Sequence, residues 1–316
     1  MNSGYDYPDR VARSDEGLTV LAFYARSYRH SSESEWREKI GRGEVTLNGR
    51  KALPEDLLKR GDLLVYHRPP WEEPDAPTYF GTLYEDDDVL ALAKPSGLPV
   101  LPGGFFLENT LLYQVRRKYG PSASPLHRLG RGTSGAILFT RNHGAARSLA
   151  TAMFERRILK VYLALASGTS MPDAFTVEAP IGPVPHTLPA TVNAFRPGGR
   201  PSLSHVRVLR RSPDKNASLV EVTIPTGRPH QIRIHLAYAG FPLVGDPLYQ
   251  AGGVPRPGGL DDDWSATPGA TGYLLHSWKI RFPHPARGED VEVICPPPDA
   301  LPPDQGGLTP SVRMDS

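Results

Sequence analysis

The chain has 316 residues, 39% of them hydrophobic and 22% charged, enough for one large domain plus a small one. A net charge of +2 neither demands nor excludes a nucleic-acid partner, since a local basic patch decides that. The single cysteine, Cys295, excludes an internal disulfide or a cysteine metal cluster, reads as a buried spectator and suits a reducing cytoplasm.

Residues 1–16 are polar and read as loose. From Leu18 to Ile40 a helical pattern follows, with Leu21, Tyr24, Ala25 and Tyr28, then Trp36 and Ile40, at three- and four-residue spacing. Ser32 and Glu35 form a capping-box pattern for the second helix. Gly43 to Arg50 reads as a short alternating strand closed by the Asn48-Gly49 turn; Leu57 to Tyr66, with Gly61-Asp62, predicts another turn and strand. The stretch 68–78 is too rich in proline for a helix or a central strand, which makes it a linker.

Beyond the linker, the acids Glu85 to Asp88 lead into an apolar strand and the Lys94-Pro95-Ser96-Gly97 break. A helix is predicted over Asn109 to Tyr119, a strand over Ala136 to Thr140, and a helix over His143 to Arg156 with Ala146, Leu149, Ala150 and Met153 on its apolar face. Val161 to Ala166 is a buried strand. Short strands then alternate with Pro and Gly turns through Ile224, and Gln231 to Ala239 is helical. Residues 251–270 read as an exposed loop, Leu274 to Phe282 and Val291 to Ile294 as closing strands, and 299–316 as a disordered tail. The 34 prolines and 31 glycines argue against a helical bundle. No apolar run reaches the length of a membrane span, and Met1 to Asp6 lacks the pattern of a secretory signal.

Four segments carry chemistry. The first, His127-Arg128-Leu129-Gly130-Arg131-Gly132-Thr133-Ser134-Gly135, satisfies G-x-G-x-x-G, with Glu155 further on. A dinucleotide loop needs a strand before it and a helix after it. Here the order fails, so a nucleotide-cofactor enzyme is the distant alternative. The second is Lys160-Val161-Tyr162-Leu163-Ala164, whose tyrosine taken alone would be core packing. The third is Thr226-Gly227-Arg228-Pro229-His230-Gln231-Ile232-Arg233-Ile234-His235-Leu236, followed by Gly245-Asp246-Pro247-Leu248-Tyr249. His230 and His235, five apart, lie on different helix faces with no third ligand nearby, so no metal site is expected. The fourth is Leu274-Leu275-His276-Ser277 with Phe282-Pro283-His284-Pro285.

In this order and at these separations, the four segments resemble the RluA-type RNA pseudouridine synthases, whose first loop reads H-R-L-D-x-x-T-S-G. The resemblance implies an α+β fold: a mixed, mainly antiparallel sheet with flanking helices and a central cleft, over residues 79–298. It implies no cofactor, no metal, and a uridine flipped out of structured RNA, either rRNA or tRNA; the cytoplasmic location is read from the single cysteine, and a monomer is the default. The resemblance assigns Tyr162 to the base, Arg233 to pairing with the catalytic aspartate, and Leu275 to the pocket wall. His127, Arg128, Arg131, Thr133, Ser134, Arg228, His230 and Gln231 are expected to face RNA. Residues 1–67 resemble a degenerate S4-type RNA-binding module, with a small structural cap as the plain alternative. One position departs from the pattern. Gly130 stands where the family carries its catalytic aspartate. Either Arg233 is more exposed here, or another acid or an RNA phosphate takes the place of the lost aspartate, since a buried guanidinium without a partner is costly; Glu155, Glu221 and the Glu85 to Asp88 cluster are candidate acids, while Asp246 has a structural task of its own. A catalytically silent RNA-binding protein is therefore the second reading.

Overall fold

The structure is a computed structural model and describes residues 1–28, 30–186, 191–257, 269–301 and 313–315. It divides into two compact units, Met1–Glu73 and Pro74–Ser316.

The first unit contains β1 (Tyr5–Arg10), α1 (Val20–Ser27), α2 (Glu33–Arg42), β2 (Val45–Leu47), β3 (Arg50–Lys51) and β4 (Leu63–Arg68). The strands form one antiparallel sheet in the order β1-β4-β2-β3. Its core is aromatic: buried Tyr24 and Trp36 stack 4.6 Å apart, and Tyr66 meets Trp36 edge-on. The Ser32–Glu35 capping box forms as predicted. Asn48 and Gly49 both take positive φ, as a tight hairpin turn requires. The N-terminus is not loose. Tyr5–Arg10 pairs along the whole of β4, and Tyr7 stacks on Tyr66. An edge strand with mostly exposed side chains leaves no apolar run in the sequence, and its edge position tolerates Pro8.

The second unit contains β5 (Phe80–Glu85), β6 (Val89–Lys94), α3 (Leu111–Tyr119), β7 (Ser124–Pro125), β8 (Ser134–Thr140), α4 (His143–Phe154), β9 (Leu159–Ser167), β10 (Ala174–Glu178), β11 (Ile181–Pro185), β12 (Thr191–Phe195), β13 (Leu203–Ser212), β14 (Ala217–Thr223), α5 (Gln231–Tyr238), β15 (Leu275–Pro283), β16 (Asp290–Ile294) and β17 (Arg313–Asp315). The main sheet runs β10-β13-β14-β9-β15-β8-β6-β5-β17, with β16 on β15 and β7 on β8, while β11 and β12 form a separate hairpin. The α+β expectation therefore holds.

Every strand pair in this sheet is antiparallel except β15–β8, which is parallel and only two residues long: His276 opposite Ser134, and Ser277 opposite Gly135. Two antiparallel halves meet at this seam. Because the two strands run the same way, the residues entering β8 and those entering β15 arrive side by side. Gly135 permits the approach. Its φ is +111°, and a Cβ there would overlap the Ser277 backbone.

Two expectations change here. The buried face of α4 is Ala145, Leu149 and Ala152, and Ala150 is exposed. Alanines at many positions of this helix leave its apolar phase ambiguous, and the Asn142 cap sets it. The tail is not wholly irregular, because Arg313–Asp315 adds a strand to the edge of β5. The centre of the expected 251–270 loop lies outside the described residues.

Candidate active site

The loop between β7 and β8 is fastened from one side by the turn after β6. The Lys94 ammonium, 2% exposed, donates to the carbonyls of Leu98 (2.7 Å), Pro95 (2.8 Å) and Arg131 (3.2 Å). Gly97 N–H donates to Arg131 O, and Ser96 Oγ to Gly132 O at 2.8 Å. Burial, helped by Arg131, lowers the Lys94 pKa to about 7. This explains the Lys-Pro-x-Gly break: it is the socket in which the Gly130–Gly132 backbone sits.

From the other side the loop meets Tyr273, which enters β15. Tyr273 is 3% exposed and its hydroxyl lies 3.3 Å from Thr133 Oγ1. A Cβ built on Gly130 would stand 2.9 Å from that hydroxyl, and one on Gly132 would stand 2.9 Å from the ring carbon bearing it. The tyrosine thus packs flush against a side-chain-free stretch of backbone, in the space a side chain at position 130 would enter.

Arg233, on α5, lies over the Tyr273 ring at 4.2 Å and the Tyr249 ring at 5.0 Å. Its partner is Asp246. Nε donates to Oδ2 and Nη2 to Oδ1, both at 2.7 Å, and Oδ1 also accepts from the backbone N–H of Leu248 and Tyr249. Against the effect of burial, the Arg233 hydrogen bonds hold the Asp246 carboxyl below its ordinary value. This corrects the expectation that Asp246 serves elsewhere while Arg233 seeks another acid. Glu155 pairs with Arg157, Glu221 with Arg207, Glu85 with Arg141, and Asp88 accepts from Asn142. Asp86 receives hydrogen bonds from Tyr84 and His284. One donor of Arg233 remains over: buried Nη1 has no hydrogen-bond partner among the described residues.

Tyr162 lies on β9 opposite Ser277 of β15 and is 6% exposed; burial pushes its phenol up to about 12. It shares one apolar cluster with Leu129, Ile224, Ile232, Tyr273 and Leu275. Tyr273 is the link between Gly130, Tyr162, Arg233 and Leu275: it touches the Gly130 loop and the Arg233 guanidinium and shares the apolar cluster of Tyr162 and Leu275, and the sequence offered no signal for it.

The residues expected to face RNA divide into two sets. Arg128 is exposed, and Arg228 is half-buried with Nε on Pro201 O. Arg131 lies over the Phe106 ring at 5.2 Å, its buried Nε without a hydrogen-bond partner among the described residues; the others are engaged within the protein. His127 Nε2 accepts from Leu138 N–H. Ser134 Oγ donates to His276 Nδ1, whose other nitrogen donates to Cys295 O. His230 Nδ1 lies 2.8 Å from the Tyr249 hydroxyl. Gln231 is 3% exposed and joins Thr226, Arg228 N–H, Leu203 O and Ser204. An amide with both ends satisfied inside the fold orients the Thr226–Arg233 segment rather than contacting RNA. His235 is likewise committed, to Ser204 Oγ and Ala179 O. The G-x-G-x-x-G stretch leads into strand β8 and not into a helix, so it lacks the helix N-terminus that a dinucleotide pyrophosphate needs.

The sequence profile described as RNA pseudouridylate synthase matches residues 88–238. The chain is 39% identical to RNA pseudouridine synthase 5 of Arabidopsis thaliana, over 95% of each chain. It is 34% identical to ribosomal large subunit pseudouridine synthase D of Neisseria meningitidis, over 89% of this chain and 75% of the relative. The solved structure of human RNA pseudouridylate synthase domain containing 1 superposes with a TM-score of 0.55 at 26% identity, over 74% of this chain and 89% of that one. The seam between β8 and β15, with the side chains it gathers, is thus the candidate active site of a chain that belongs to the RNA pseudouridylate synthase family.

Proposed function

We propose that this chain isomerises a uridine of structured RNA, ribosomal RNA in the first instance, to pseudouridine. The observation that supports the proposal is the packing of Tyr273 against Gly130 and the Arg233 guanidinium beside the β8–β15 seam, within the apolar cluster that also holds Tyr162 and Leu275. The reaction breaks the C1′–N1 bond, turns the uracil and rejoins it through C5. A stacked base cannot present that bond, so the nucleotide is flipped into the seam. Tyr162 and Leu275 form the apolar wall against the base, and exposed Arg128 meets backbone phosphate. The burial of Thr133 and Gln231, and the internal hydrogen bonds of Ser134 and His230, support a role in holding the loop and α5 rather than in touching RNA. We also assign the first unit to RNA binding as an S4-like module, with Arg50, Lys51, Lys59 and Arg60 exposed on it. No described helix is long and apolar enough to cross a membrane. The monomer and the reducing compartment are assigned by default, in keeping with the single, buried cysteine.

The test is tritium release from [5-³H]uridine-labelled RNA taken from cells lacking this protein. The isomerisation reading expects release, lost in Arg233→Ala. Arg128→Ala is expected to weaken RNA binding and to reduce the slope of log K against log salt by about 1. The absence of a carboxylate at Gly130 favours a second reading, RNA recognition without turnover. Tight, salt-sensitive binding with no release from the parent protein would establish it.

A further inference from the structure

We infer that Tyr273 is a catalytic residue of this enzyme, its hydroxyl, which occupies the place a side chain at position 130 would take, acting as the nucleophile at the ribose C1′. The inference rests on the pseudouridine synthase reading.

The hydroxyl is aimed at Gly130, 2.9 Å from where a Cβ would begin, and touches Thr133 Oγ1 at 3.3 Å. It sits in the apolar cluster that also holds Tyr162 and Leu275. Its ring lies against the Arg233 guanidinium, a fixed positive charge that favours negative charge developing on the phenol oxygen. Arg233 Nη1 is left with a hydrogen to donate. A glycine at 130 and another at 132 are what allow the ring to lie there, since any side chain at either position would collide with it. Tyrosine is an established nucleophile at anomeric carbon in some glycosidases.

The step balances without a cofactor. The phenol oxygen bonds to C1′ as the C1′–N1 bond breaks, and the electron pair leaves on N1. The phenolic proton passes by way of the Thr133 hydroxyl to N1, which takes it with the departing electron pair. After the uracil has turned, C5 attacks C1′ and the phenol oxygen leaves with its electron pair. The C5 proton is lost and the phenol is reprotonated. Two displacements at C1′ return the base to the face from which it left, as a covalent intermediate requires.

Tyr273→Phe removes only the oxygen and keeps the ring on Arg233. The expected result is a fall in pseudouridine formation of roughly a hundredfold or more, with RNA affinity and melting temperature unchanged. Placing 3-fluorotyrosine, a more acidic phenol, at position 273 is expected to move the pH–rate profile to lower pH, which a space-filling role would not do. Parental turnover retained within fivefold by Tyr273→Phe, or a pH profile indifferent to the fluorine, overturns this inference and leaves the synthase reading intact. No turnover in the parent overturns both.

Discussion

Asp246→Asn tests the electrostatic core of the site. In the native protein both side chains are almost fully enclosed, 2% exposed for Arg233 and 1% for Asp246. Asp246 accepts four hydrogen bonds: two from the guanidinium and two from the Leu248 and Tyr249 backbone. Asparagine has the same shape but must point an amide NH₂ either at Arg233 Nε or at the three donors that share Oδ1. Either choice sets donor against donor and leaves a buried cation without its counter-charge. Breaking a buried pair in this way costs about 3–5 kcal/mol. Equilibrium unfolding in urea should register that loss in the second unit. Arg233→Met with Asp246→Leu removes both charges, and most of the lost stability should return. The pH dependence has a definite sign. Because the folded pKa of Asp246 is depressed, its contribution is present above its ordinary value of 3.8 and is lost as pH falls through the folded value. The gap between parent and Asp246→Asn should therefore narrow only in strong acid. A cost below about 1 kcal/mol at pH 7 would show that Arg233 does not depend on this carboxylate, and the reasoning would fail.

His276 is neutral in the folded state, with burial lowering its pKa from 6.5 to about 4. The unfolded chain takes up its proton first, so stability should fall as pH drops from 6.5 towards 4, by about 3 kcal/mol from this residue. His276→Gln should flatten that part of the curve, and an unchanged slope would argue against it. Gly130→Ala sets a methyl against the Tyr273 hydroxyl and should cost about 1–3 kcal/mol. Adding Tyr273→Phe should recover much of this, and a double-mutant cycle with no coupling would contradict the contact. Gly135→Ala should be worse than either, with little folded protein recovered. Its φ of +111° and the Ser277 backbone allow no Cβ, so a stable, soluble Gly135→Ala protein would mean that the seam is looser than described.

Much of this protein is determined by local sequence. Capping residues at Ser32, Thr110 and Asn142 start helices where the periodicity begins, because a side-chain oxygen there satisfies backbone N–H groups that the helix itself cannot. Short apolar runs located β6, β8, β9 and β15, and the ordered motifs located the loop, Tyr162 and Arg233. Other features depended on which strands become neighbours. The two-residue parallel contact between β15 and β8 brings Tyr273 against Gly130, positions 143 residues apart, and no local pattern encodes that meeting. The partner of Arg233 lay in plain view in the Gly-Asp-Pro-Leu-Tyr motif. Only the tertiary structure turned its carboxylate towards the guanidinium, because a buried charge is matched by whatever the chain folds beside it. Polar residues such as Gln231 and Thr133 show the same division. Their chemistry is legible from the letters, but whether they face RNA or the protein interior was decided by burial, and burial belongs to the fold.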